Sequence, residues 1–270
     1  AVKIGWRNWG SQIRVAPAPN IASPEVIAAH LERLQGLVPI VANWYRALPE
    51  EKKHLLGGVK FGHEAGIGVN AYHYPDGNQY LNQPAANDPR QGYDATQGWH
   101  GGLAKLGYAA VTSAGIKSAG ELTRDDIAEV TRRYLETLCA TAYKAGIPSS
   151  LTYTHQGGVY APWDQHLPFD AACNDYALPG YSFYGVDPAQ AQGLREALIQ
   201  HNPNNPRWAA VEWWWGAPDA AGWRDHFERT LRYENCRFIS IFNWNCGFKF
   251  KEETAGIDAL RDVIRDWRNN

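Results

Sequence analysis

The sequence predicts an α/β protein with a (β/α)8 TIM-barrel architecture, and three observations carry this prediction. Short apolar segments alternate with amphipathic helical patterns along the 270 residues. The apolar segments are continuous rather than alternating, which indicates a parallel sheet covered by helices. Several of them end in a polar or ionisable residue, such as Glu64 and Glu212. Ionisable groups at the carboxyl ends of strands favour a barrel over a doubly wound sheet.

Six segments have the length and composition of buried strands. In chain order they are QIRVAP from Gln12, GVKFGHE from Gly58, SLTYTHQ from Ser150, GYSFYG from Gly180, WAAVEWW from Trp208 and FISIFNWN from Phe238. A seventh candidate, AVKIGW, begins the chain. Because a barrel needs eight strands, we expect its first one or two β/α units to be either absent from this chain or obscured in the pattern. A missing N-terminal segment or an oligomer partner would then cover the open sheet edges.

Five segments have helical patterns. Ser23 and Pro24 supply cap and first-turn signals before EVIAAHLERLQGL. A longer helix is predicted to begin after Thr123 and to stop at Gly146. The other three are GLREALIQHN, AAGWRDHFERTLRYEN and GIDALRDVIRDWRNN. Residues 72–120 are rich in Gly, Pro and Asn, so we expect a long loop over the rim of a single domain, 1–270.

Composition excludes several classes of function. The net charge is −2, so no basic excess favours nucleic acid or an anionic membrane. No apolar stretch approaches the roughly 18 residues of a spanning helix. Glycine-rich phosphate motifs, CxxC pairs and HExxH motifs are lacking, so we expect neither a cofactor nor a metal. The four cysteines leave the redox compartment open, with a secreted or extracytoplasmic location favoured.

Aromatic residues are abundant, with 12 Trp and 14 Tyr. They form either a Trp-rich core or a cleft lined with rings on which the C–H faces of sugars stack. Three of the tryptophans directly follow Glu212. Alternation along an extended strand would point Trp213 and Trp215 away from this glutamate, and Trp214 towards it. Trp214 is therefore predicted to be the ring of the cleft.

Two glutamates stand at strand ends, and Glu212 lies 148 positions after Glu64 (212 − 64). Their predicted strands are three β/α steps apart, so they would face one another across the mouth of an eight-stranded barrel. Cleavage of a glycosidic bond uses two such carboxyl groups, one protonated and one ionised. The alternative is two unrelated glutamates that form ion pairs near the rim.

This pattern resembles clan A of the retaining glycoside hydrolases, a superfamily of TIM barrels. The resemblance implies that Glu64, at the end of the fourth strand, is the acid/base and that Glu212, at the end of the seventh, is the nucleophile. It also implies a tyrosine beside the nucleophile, either Tyr184 or, as second choice, Tyr181. Trp244 would form the floor under the cleaved sugar. On this mapping QIRVAP is the third strand.

The chain departs from the clan at two places. The clan usually has Asn before the acid/base, where this chain has His63, so either His63 or Asn70 would hold the sugar 2-hydroxyl. The arginine that often orients the nucleophile has only Arg14 as a nearby candidate. The wider phrase GHEAGIGVNAYHYPDGN is similar to sequences of an uncharacterised barrel family. Further substrate contacts are predicted at Tyr72, His73, His155 and Asn243.

The sequence thus predicts a glycosidase that acts on an oligosaccharide or polysaccharide. One alternative is a lectin-like barrel that binds carbohydrate in the same cleft without cleaving it. Another is a polysaccharide lyase, in which Tyr72, His73 or Tyr184 would abstract the proton next to a uronate carboxyl group.

Overall fold

The computed structural model describes residues 3–7, 11–15, 19–66, 72–73, 104–120, 122–157, 167–242 and 254–268. The helices are α1 (Pro24–Ala47), α2 (Leu106–Ser113), α3 (Arg124–Lys144), α4 (Leu194–His201), α5 (Ala220–Arg232) and α6 (Thr254–Arg268). The strands are β1 (Lys3–Arg7), β2 (Ser11–Val15), β3 (Val59–Ala65), β4 (Tyr72–His73), β5 (Ala104–Lys105), β6 (Thr152–Gln156), β7 (Gly180–Tyr184), β8 (Trp208–Trp214) and β9 (Cys236–Ile241). Within these ranges, every helix is too short or too polar to cross a membrane.

Five strands form one parallel sheet in the order β3-β6-β7-β8-β9. Each strand is added beside the one that precedes it in this sheet, and helices α3, α4 and α5 lie in the connections between them. The α/β class and these five predicted strands are confirmed. The five predicted helices are present as well, although α1 continues well beyond its predicted end, through Pro39 to Ala47.

The first two strands do not join this sheet. β1 and β2 pair antiparallel in a separate two-stranded sheet. The prediction that QIRVAP is the third strand of a parallel barrel is therefore wrong. Only three residues, 8–10, connect the two strands, and a parallel pair needs a crossover connection of about a dozen residues or more.

The segment predicted as a rim loop, 72–120, contains regular structure where it is described. Tyr72–His73 and Ala104–Lys105 form a short antiparallel pair, and α2 follows directly. Ala110 and Val111 of α2 are fully buried in the cluster that surrounds α3. The end of the predicted loop is therefore part of the packed fold.

The helix α3 shows why the local sequence folds as predicted. The Thr123 side chain accepts a hydrogen bond from the Asp126 backbone N–H, and the Asp126 carboxylate accepts one from the Thr123 backbone N–H. This reciprocal arrangement satisfies two N–H groups that the first turn leaves free. The apolar stripe, with Ile127 and Leu135 fully buried, packs against β3 and α1.

The helices cover one face of the sheet. Around β3 the cluster includes Phe61 and residues of α1–α3. Around β7 and β8 a second cluster is rich in aromatic rings, with Trp208, Trp213 and Trp223 almost completely buried. These three tryptophans belong to the core, whereas Trp44 and Trp267 are exposed. The opposite face carries a small cluster of Tyr153, Ala209 and Val211 together with the candidate site.

Gly180 is a position at which the sheet requires a glycine. A Cβ atom there would overlap the Thr154 carbonyl oxygen and lie 2.8 Å from Val211 Cγ1. We expect Gly180→Ala to lower the free energy of unfolding by about 3 kcal/mol, because strand backbones rather than flexible side chains must shift. Urea denaturation measures this change.

The matched control is Gly36→Ala in α1, where a Cβ atom would meet nothing within 4 Å. Alanine favours the helix by up to about 1 kcal/mol, so this variant should be slightly more stable than the wild-type chain. Equal urea midpoints for Gly180→Ala and the wild-type chain would contradict the packing described for β6 and β7.

Candidate active site

A bulge positions Glu64 at the end of β3. Phe61 pairs with Thr154 and Ala65 with Gln156, so four steps along β3 match two steps along β6. Within the bulge Glu64 has a φ of 48°. A left-handed conformation costs a residue other than glycine roughly 1–2 kcal/mol, and such strained residues cluster at functional sites.

A second bulge positions Glu212. Tyr181 pairs with Ala210, and the next residue on β7, Ser182, pairs with Glu212. Val211 is therefore an extra residue in β8, which breaks the alternation of side chains. The bulge turns Glu212 to the same face of the sheet as Ser182, where its carboxylate meets side chains of β3, β6 and β7.

The two glutamates meet on this face. Carboxylate oxygens of Glu64 and Glu212 and a ring nitrogen of His155 all lie within 4.8 Å of one another. In a flat sheet, strands three positions apart would be about 14 Å from each other. The Lys60 ammonium of β3 nevertheless reaches to 3.4 Å from the Val211 carbonyl oxygen of β8. The sheet is therefore concave on this face, and the predicted meeting of the two carboxylates is observed.

Three polar groups surround the Glu212 carboxylate. The Tyr184 hydroxyl donates a hydrogen bond to Oε1. On the other oxygen, Oε2, Lys60 Nζ lies at 3.8 Å and His155 Nε2 at 3.3 Å. Together these contacts fix the orientation of the carboxylate. Of the two tyrosines predicted beside Glu212, Tyr184 is the one that the structure places there.

Tyr181 has a different environment. Its side chain is fully buried on the helix-covered face, and its hydroxyl donates a hydrogen bond to the Phe169 carbonyl oxygen at 2.7 Å. Burial raises its pKa well above the usual value of a tyrosine. Tyr181 therefore belongs to the core.

A neutral hydroxyl contacts Glu64. Ser182 is fully buried and donates a hydrogen bond from Oγ to Glu64 Oε1 at 3.1 Å. His155 Nε2 lies 2.8 Å from the same Oγ atom. Ser182 thus joins the Glu64 carboxylate to the buried His155.

His155 lies beneath the site rather than on its wall. Its side chain is 0% exposed, so the prediction that it contacts substrate is corrected. Burial, followed by the positive charges of Lys60 and His63, lowers its pKa to about 3. The imidazole is therefore neutral at pH 7. His63, in contrast, is exposed, with its ring 6.2 Å from that of His155.

The three consecutive tryptophans all pack towards α5. Trp213 stacks on Phe227 at 4.7 Å between ring centroids and is buried, as predicted. Trp215 stacks on His226. Trp214 is half-buried and meets Trp223 edge-on at 6.2 Å. Its role as a ring of the cleft stays a prediction.

Several predicted residues lie beyond what the structure describes. Asn70, Asn243 and Trp244 are outside the described residues, and Tyr72 and His73 are described only as the backbone of β4. Sequence reasoning missed Lys60 and Ser182. Ser182 could have been found because it precedes Tyr184 by two residues, which places both side chains on one face of a strand.

The cluster of Glu64, His155 and Glu212 also has the spacing of metal ligands. Two carboxylates and one imidazole are donors that suit Zn²⁺ or Mn²⁺. The Lys60 ammonium lies 3.8 Å from Glu212 Oε2, and the Ser182 hydroxyl donates a hydrogen bond to Glu64 Oε1, so both carboxylates also have partners in the chain. Metal removal is accordingly a control in the functional test.

Comparisons of the chain with protein-family models, with curated proteins and with solved structures gave no match.

Proposed function

We propose that this chain is a retaining glycoside hydrolase, with Glu212 as the nucleophile and Glu64 as the acid/base. The observation that supports it best is the spacing of the two carboxylates, whose facing oxygens lie within 4.8 Å. Carboxyl groups in retaining enzymes are about 5–5.5 Å apart, whereas those of inverting enzymes are separated by about 6.5–9.5 Å. This spacing supports retention rather than inversion.

In the first step, an ionised Glu212 oxygen attacks the anomeric carbon while Glu64 gives its proton to the leaving oxygen. The bond from the anomeric carbon to that oxygen breaks, and a glycosyl ester of Glu212 forms. Lys60 and Tyr184 orient the Glu212 carboxylate before the attack. In the second step, Glu64 takes a proton from water, which attacks the anomeric carbon and releases Glu212. Two inversions give net retention.

We further propose that the five-stranded sheet corresponds to strands four to eight of a (β/α)8 barrel. The sequential strand order, the helices on one face and the concave opposite face support this assignment. In such barrels the active site lies at the carboxyl ends of the strands. Glu64, Ser182, Tyr184 and Glu212 all stand at or near those ends.

Labelling of the nucleophile tests this function. The wild-type chain is first screened against aryl glycosides and oligosaccharides, and the matching 2-deoxy-2-fluoro glycoside with a good leaving group is then added. We expect one equivalent of sugar to attach to Glu212, as found by peptide mass spectrometry. The first product in the NMR spectrum should keep the anomeric configuration of the substrate, and an inverted product would contradict the proposal.

Controls distinguish the other functions. Incubation with EDTA should leave turnover unchanged, whereas loss that Zn²⁺ or Mn²⁺ restores would indicate a metal-dependent enzyme. Oligosaccharide binding in calorimetry without any cleavage would indicate the lectin-like alternative. An unsaturated product that absorbs in the ultraviolet would indicate a lyase.

A further inference from the structure

We propose that His155 and Ser182 are a positioning pair that orients the carboxyl group of Glu64 for proton transfer. This inference rests on the proposed function and adds two residues to it. The pair is fully buried, and it links three strands: His155 lies on β6, Ser182 on β7 and Glu64 on β3. It also corrects the role expected for His155, from substrate contact to support of a catalytic residue.

The directions of the hydrogen bonds from His155 to Ser182 and from Ser182 to Glu64 follow from the number of hydrogens that each group can donate. Ser182 has one hydroxyl hydrogen, and it points to Glu64 Oε1 at 3.1 Å. Ser182 Oγ must then accept the bond at 2.8 Å from His155, so the imidazole hydrogen lies on Nε2. Nδ1 then carries a lone pair, and it is a buried atom without a hydrogen-bond partner in the described part of the chain. Buried acceptors are left unpaired more readily than buried N–H donors.

The charge state of His155 is compatible with the role of Glu64 as a general acid. The ionisable groups near His155 are Lys60, His63 and Glu64 from β3 and Glu212 from β8, and Tyr184 of β7 is bonded to Glu212. Burial, followed by the charges of Lys60 and His63, lowers the pKa of His155 and so favours the neutral ring. A neutral donor orients Ser182 without adding a positive charge that would draw the proton off Glu64. His155 Nε2 also lies 3.3 Å from Glu212 Oε2, so the imidazole is next to the second carboxylate as well.

Glu64 needs this support because of its position. It stands in a bulge with a left-handed backbone, where the ladder between β3 and β6 is interrupted. Ser182 reaches it from β7, across β6, and fixes one carboxylate oxygen. Proton transfer requires hydrogen-bond geometry, and a displacement of about 1 Å can cost on the order of 10²-fold in rate.

The test compares Ser182→Ala with the wild-type chain on a series of glycosides with graded leaving groups. Ser182→Ala should lose on the order of 10²-fold in kcat/KM on alkyl glycosides. It should lose little on dinitrophenyl glycosides, whose departure needs no proton. Ser182→Thr keeps the hydroxyl and should recover most of the loss. An equal loss on all leaving groups would show a general structural role and overturn the proposal.

A second measurement does not depend on turnover. The chain is labelled with ¹⁵N-histidine, and the ring nitrogens are observed by NMR. The His155 signals are identified by their absence in His155→Gln. At pH 7 we expect them to be those of a neutral ring protonated on Nε2. An imidazolium or an Nδ1–H tautomer would overturn the pair even if the chain is a glycosidase. If Glu212 is not labelled and no glycoside is cleaved, the proposed function fails, and the pair fails with it as a device for catalysis.

Discussion

The Glu212→Gln variant should fold like the wild-type chain and lose turnover on the order of 10⁶-fold, as other enzymes do when their nucleophile is removed. Gln has almost the same shape, and its amide oxygen can still accept the hydrogen bond from Tyr184. It cannot attack the anomeric carbon, because the neutral amide has neither the charge nor the basicity of a carboxylate. Turnover of the best glycoside and thermal melting measure the two effects.

The control is Glu196→Gln on the exposed face of α4, which removes the same charge far from the concave face. It should leave turnover unchanged. The ion pair between Lys60 and Glu212 disappears in Glu212→Gln, but Lys60 is 40% exposed and such pairs contribute little to stability. Turnover retained in Glu212→Gln would rule out this glutamate as the nucleophile.

The Glu64→Ala variant has the second largest expected effect. General acid catalysis contributes about 10²–10⁴-fold to a rate. The rate of the first step should therefore fall by that factor on alkyl glycosides, and only slightly on glycosides with activated leaving groups. The second step also slows, since no base activates water, and the glycosyl ester should accumulate. Alanine keeps a Cβ atom at the φ of 48°, so the backbone strain stays and the comparison reports chemistry.

Azide identifies which step Glu64 serves. Azide needs no general base and fits the space that the shortened side chain leaves, so it should restore turnover of activated substrates. The product should be a glycosyl azide with the anomeric configuration of the substrate. A glycosyl azide of inverted configuration would assign the nucleophile role to Glu64 and reverse the two assignments.

The pair of glutamates could be predicted from the sequence because strand order and strand ends bring both residues to one edge of the sheet, whereas bulges orient their side chains. Glu64 and Glu212 each close an apolar run, and the sequential sheet brings those ends to one edge. Tyr184 was found for the same reason. The bulges could not be predicted, because Val211 looks like any strand residue until its neighbours in β7 are known.

The other errors have similar physical causes. Lys60 contacts Glu212 only because the sheet is concave, and no local pattern encodes the curvature of a sheet. His155 was assigned to the cleft because it ends a strand, whereas Ser182 and the two carboxylates enclose it. QIRVAP resembles a buried strand by composition, yet the short connection before it decided its pairing.

The curvature of the sheet has a consequence for stereochemistry. β6 and β7 lie between β3 and β8, which carry the two glutamates. The curvature of the sheet at β6 and β7 therefore sets the distance between the two carboxylates. A wider gap would admit a water molecule and favour a single displacement. In the proposed glycosidase, the stereochemical outcome would thus depend partly on small and buried residues of these two strands, such as Gly180.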